Sequence, residues 1–132
     1  EAFRTHSVMM RADIYSSQWC RCKDTGSEII SALEASKLVS SSGTSEFQVV
    51  EEWGLNSFYQ PELEWSQDRC MERLNGGLLK TLRDTRQVRD GKLVQTLLVT
   101  HYVTVGAVTG TTVDSGEILS YDTISKESRR IS

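Results

Sequence analysis

The chain has 132 residues, 38% hydrophobic and 25% charged, the make-up of a globular domain rather than of a fibrous or low-complexity protein. A single proline and nine glycines exclude polyproline and collagen-like character, and at this length a core needs no disulfide or metal to close it. The net charge of −3 gives no overall reason to expect nucleic acid or an acidic membrane surface as partner.

That charge is unevenly distributed. Residues 1–37 balance, residues 38–68 hold no Lys or Arg and six acids, and residues 69–92 carry seven basic residues against three acids. Neighbouring blocks of opposite sign suit adjacent strands that pair their exposed faces, or else a polar cavity or interface that needs the arginines. No apolar run reaches the ~18 residues that cross a bilayer, and the N-terminus lacks the plan of a signal peptide. The odd number of cysteines, Cys20, Cys22 and Cys70, fits a reducing, cytoplasmic setting. One domain over 1–132 is expected.

In chain order, Val8, Met10, Ala12 and Ile14 alternate with Met9, Arg11, Asp13 and Tyr15, which predicts a strand within 6–19 and a short irregular piece through Cys22. Thr25-Gly26-Ser27-Glu28 matches a capping box, and Ile29, Ile30, Leu33 and Leu38 place apolar groups on one side, so a helix is expected near 27–38. Residues 40–45 read as a turn-rich run, residues 47–51 as a strand broken by Gly54 and Asn56, and residues 58–65 as a strand or edge around the lone proline. Asn75-Gly76-Gly77 predicts a hairpin turn, followed by a strand over 78–86 and a second turn at Asp90-Gly91. From Leu93 to Val105 apolar and polar positions alternate without a breaker; the fourteen residues from Lys92 predict a strand of about 45 Å that must curve. A turn at 114–116, a strand over 117–121 and a polar end complete the chain.

One or two early helices ahead of many sequential strands argue for a mostly-β protein, a small antiparallel meander β-barrel with a short helical segment near 27–38. The alternative is an α+β fold with a curved sheet wrapped around a helix.

The chemistry-bearing constellations are sparse. Cys20-x-Cys22 lacks zinc-hairpin spacing, so neither metal nor cofactor is expected. Asn75-Gly76-Gly77 ahead of a strand offers no helix N-terminus to a phosphate. The basic block lacks the interleaved aromatics of a nucleic-acid surface. What remains is a cavity wall: Leu93, Gln95, Leu97, Val99 and His101 on one strand face, mostly apolar with two polar anchors, and Arg83 as a cation for a carboxylate if it faces inward.

The segment Cys70-Met-Glu-Arg-Leu-Asn-Gly-Gly-Leu-Leu-Lys-Thr-Leu, followed by Asp90-Gly-Lys-Leu-Val-Gln-Thr-Leu, resembles the central hairpin of the intracellular lipid-binding (fatty-acid-binding) proteins over roughly residues 70–98. The resemblance implies a barrel that carries a fatty-acid-like or retinoid-like molecule, and it carries Gln95 to the cavity wall. The family's Arg-x-Tyr anchor has no counterpart, since neither Arg129 nor Arg130 is followed by that tyrosine. The leading expectation is therefore a non-enzymatic carrier of an apolar small molecule, with no nucleic acid, no membrane insertion and the oligomeric state left open. The alternatives are a small enzyme of isomerase, cyclase or dehydratase type using His101, Tyr102 or Asp84 as acid or base, and an interaction subunit.

Overall fold

The computed structural model describes residues 10–35, 47–57, 67–89 and 91–131. About 42% of the structure is helical and 24% strand, which makes the chain α+β and overturns the mostly-β expectation. The strands form one three-stranded sheet and two two-stranded ribbons, and neither a closed barrel nor one sheet curved round a helix is present among the described residues. The chain divides into two compact units, Glu1–Trp53 with Gln87–Val99 and Gly54–Arg86 with Thr100–Ser132.

The first unit is built on β1 (Asp13–Ser16), whose Ile14 and Ser16 are fully buried. It is the central strand of a parallel sheet, with β2 (Gln48–Glu51) on one side and β5 (Leu98–Val99) on the other. Parallel neighbours need a crossover, and α1 (Cys20–Ala35) supplies it between β1 and β2. Its buried positions Cys22, Gly26 and Leu33 face the sheet. Gly26 is there because a Cβ would lie 3.1 Å from Val49 Cγ2 and 3.9 Å from Ile14 Cγ2, so the helix approaches the sheet more closely than a larger residue allows. The helix starts at Cys20 rather than near 27, and no irregular piece runs through Cys22; Thr25 sits inside it, its hydroxyl donating to the Arg21 carbonyl at 2.8 Å instead of capping. An antiparallel ribbon, β3 (Gln87–Arg89) and β4 (Lys92–Val94), turns at Gly91, whose φ of 73° requires glycine.

The second unit holds α2 (Gln67–Gly76), α3 (Leu78–Asp84) and α4 (Tyr102–Thr109), with α2 packed on both others. Leu55, Cys70, Leu74, Leu78, Leu79, Ala107 and Val113 are the buried apolar residues among its described ones. Three expected features fail along these stretches of the chain. The expected hairpin turn at 75–77 is a junction between helices: Thr81 N–H donates to the Gly77 carbonyl at 3.0 Å, and Gly77 is needed because a Cβ would meet the Arg73 carbonyl oxygen at 2.8 Å. The expected strand 78–86 is therefore helical over most of its length. The expected continuous strand from Lys92 breaks into β4 and β5, and its end becomes α4, which His101 enters in extended backbone and Gly110 leaves at φ 73° with its amide on the Gly106 carbonyl.

In the same unit, three successive carbonyls after the 3₁₀ turn Trp53–Leu55 begins are held by side chains. Arg73 Nη2 donates to the Gly54 and Asn56 oxygens, both at 3.2 Å, and Thr100 Oγ1 donates to the Leu55 oxygen at 2.6 Å. An antiparallel ribbon of β6 (Leu119–Tyr121) and β7 (Ser128–Arg130) closes the chain. The expected serine-rich turn at 40–45 and the strand at 58–65 lie outside the described residues.

Candidate functional site

In an open sheet of parallel strands, every strand delivers its loop to the same edge, and ligands bind outside the carboxyl ends where the strand order reverses. The order β2-β1-β5 has such a reversal, since the chain leaves β1 toward β2 and later returns to the opposite side as β5. Ser16 is in register with Glu51 of β2 and Val99 of β5, so these three residues mark the carboxyl edge. Ser17 extends it: its amide donates to the Val99 carbonyl at 2.9 Å, and the Glu52 amide donates to the Ser16 carbonyl at 2.8 Å. Ser16 and Ser17 are fully buried, which fixes the loop that leaves β1.

That loop, Ser17-Gln18-Trp19, runs directly into α1. The Trp19 amide donates to Ser17 Oγ at 3.3 Å, and the Trp19 carbonyl accepts the amides of Cys22 and Lys23 at 3.0 and 3.1 Å. Earlier amides of the first turn have no acceptor within the helix, and the dipole of sixteen aligned residues leaves this end positive. The first turn contains no acid to neutralise it. Arg21 adds a full charge; its guanidinium stacks 5.0 Å from the Trp19 ring centroid, is exposed, and has no carboxylate partner among the described residues.

Two neighbours are already committed. Lys23 Nζ lies 2.7 Å from Glu51 Oε1, tying α1 to the end of β2, and the Glu51 carboxylate raises the lysine above its ordinary range. Burial pushes the Cys22 thiol up, against a hydrogen bond from Ser17 and the charge of Arg21 that lower it, so this thiol is not an activated nucleophile. What the edge offers is backbone donors, a positive helix end and the Arg21 guanidinium, a set of groups suited to an anion.

The residues singled out from sequence fall on several elements and in both units. Arg83 is exposed on α3, 3.7 Å from its neighbour Asp84. Leu93 is exposed on β4, opposite Val88. Gln95 forms an isolated parallel bridge with Met10, and Leu97 accepts the Tyr15 amide through its carbonyl at 3.1 Å. Val99 ends β5, and His101 belongs to the second unit, at the start of α4. Ser17, Trp19 and Arg21 were not among the expected site residues; the signal that marks them is a strand, two serines and then a helix whose first turn lacks acids. Asp84, an alternative acid or base, is held below the usual carboxylate range by its hydrogen bond from Lys80 and stays ionised.

No helix among the described residues is long and apolar enough to cross a membrane. Comparison with protein-family models, curated proteins and solved structures finds no match for the chain.

Proposed function

We propose that the protein binds a small anionic ligand, phosphate-bearing or carboxylate-bearing, at the carboxyl edge of the β2-β1-β5 sheet, on the first turn of α1. The observation that carries this reading is the strand order, which reverses beside β1 where the Ser17–Trp19 loop enters the helix. The absence of acids in that turn and Arg21, which has no carboxylate partner among the described residues, supply the attraction. This replaces the apolar-cargo expectation, which needed a barrel interior and a strand wall running from Leu93 to His101.

The test is a titration of the ¹⁵N-labelled chain with inorganic phosphate, followed through backbone amide shifts. Saturable shifts centred on Trp19–Cys22 are expected at millimolar phosphate. Arg21→Gln is expected to weaken them about tenfold, the worth of one charge-assisted contact, while Arg129→Gln, exposed on β7, leaves them unchanged. Shifts that never saturate, or that respond equally to both substitutions, refute the site.

A further inference from the structure

The β3–β4 ribbon is a two-stranded sheet with an unusual outer surface. Its register pairs Gln87 with Val94, Val88 with Leu93, and Arg89 with Lys92. Two residues separate Arg89 from Lys92, so the bond that closes the turn joins this pair, and the alternation of an antiparallel ladder turns the Val88 amide and carbonyl outward, away from β4. No strand pairs with that edge among the described residues.

The side chains sort by face. Val88 and Leu93 stand opposite each other and are 67% and 38% exposed, an apolar pair left in water. Arg89 and Lys92 stand opposite each other on the other face, both exposed, with no carboxylate partner among the described residues. Like charges directly across a ladder repel, so this pair gains from any anion brought between them. A protected edge carries charge and twists away; this one adds an outward apolar pair and an open donor and acceptor at its centre.

We propose that the outer edge of β3 receives an extended acidic segment of a partner protein, added as a further strand. A strand in which apolar residues alternate with Glu or Asp lays its apolar side over Val88 and Leu93 and its carboxylates toward Arg89 and Lys92, because successive side chains point to opposite faces. Charge selects this occupant over a second copy of the chain, which would bring another Arg89 and Lys92 to a face that is already positive.

The experiment titrates the full ¹⁵N-labelled chain with an end-capped peptide of alternating glutamate and valine. Saturable shifts confined to the amides of β3 and β4 and slowed hydrogen exchange of the Val88 amide are expected. Val88→Pro removes the outward donor while leaving the inner ladder donors, and is expected to weaken binding about tenfold. Exchanging charge, Arg89→Glu with Lys92→Glu, is expected to abolish binding of the acidic peptide and to create binding of a lysine and valine peptide, which decides the matter even if the proline disturbs the ribbon. Absence of saturable shifts, equal binding of the two peptides by the parent chain, or concentration-dependent shifts of the same amides with no peptide, which would mean self-pairing, overturns the proposal.

Discussion

Replacing Gly26 by alanine sets two effects of similar size against each other. Alanine in a helix interior is worth about 1 kcal/mol over glycine. The new methyl, however, would sit 3.1 Å from Val49 Cγ2 and 3.6 Å from Val49 Cγ1, against an ordinary separation of about 3.5–4.0 Å, so Val49 or the helix must yield a few tenths of an ångström. Overpacking of this kind costs about 1–3 kcal/mol. Gly26→Ala is therefore expected to destabilise the first unit by about 1 kcal/mol. Val49→Ala alone, which removes half-buried methyls, should cost about 1 kcal/mol. In the double variant the clash is gone and the helix gain remains, so adding Gly26→Ala to Val49→Ala should stabilise, with a coupling near 2 kcal/mol. Hydrogen exchange at the Tyr15 and Val50 amides, both within the sheet, reads the first unit separately from the second, whose unfolding need not coincide. Single effects that add within about 0.5 kcal/mol would refute the close approach as the reason for glycine.

Arg73→Met leaves the Gly54 and Asn56 carbonyls without their shared donor and is expected to cost about 2–3 kcal/mol in urea unfolding; an unchanged midpoint would show that the guanidinium holds nothing. Acid should loosen the β6–β7 ribbon. Glu117 is held low by the Asp114 amide and then by Arg130, and Asp122 by the amides of Ile124 and Ser125 and then by Arg86. Because their folded values lie below the unfolded ones, near 4.5 and 3.8, the stabilisation is complete above those values and is lost as pH falls through the lowered folded ones. A ¹³C carboxyl titration should show both midpoints depressed, with ribbon amide protection falling in parallel. Iodoacetamide should modify exposed Cys20 well before buried Cys22 and Cys70, as read by peptide mass mapping; equal rates at Cys20 and Cys22 would contradict the burial that raises the Cys22 thiol.

The elements legible in sequence were those fixed by local chemistry. The strand around Ile14, the strand at 47–51, and the turns at Gly91 and Gly116 all follow from alternation or from a glycine that must take positive φ. Helices α2 and α3 do carry a signal, since Cys70, Leu74 and Leu78 recur every four residues, but the expectation of a hairpin at Asn75-Gly76-Gly77 makes no use of it. There glycine serves a helix-to-helix junction, a role its sequence context does not distinguish from a hairpin. The alternation from Leu93 onward misled for a different reason: Tyr102–Thr109 is a short apolar run, for which periodicity does not separate a buried helix from a strand, and tertiary packing overrides the β preference of its valines. The candidate site was invisible because it depends on parallel pairing between distant residues, Asp13 with Gln48 and Ser16 with Val99, and on where α1 begins. A helix start placed at 27 hides Arg21 in a loop.

The discontinuity of the first unit also sets an order of events on the ribosome. β1 and β2 leave with their crossover helix between them, but the partner for the other edge of β1 follows only after residues 54–86 of the second unit. The 48 positions from Glu51 to Val99 take roughly 2–10 s to synthesise at about 5–20 residues per second. Throughout that interval the Tyr15 and Ser17 amides, which finally donate to Leu97 and Val99, have only water or a stranger to bond. The nascent chain thus passes through a stage in which the strand that carries the candidate site is itself an open edge, exposed to chaperones and to mispairing until the last short strand arrives.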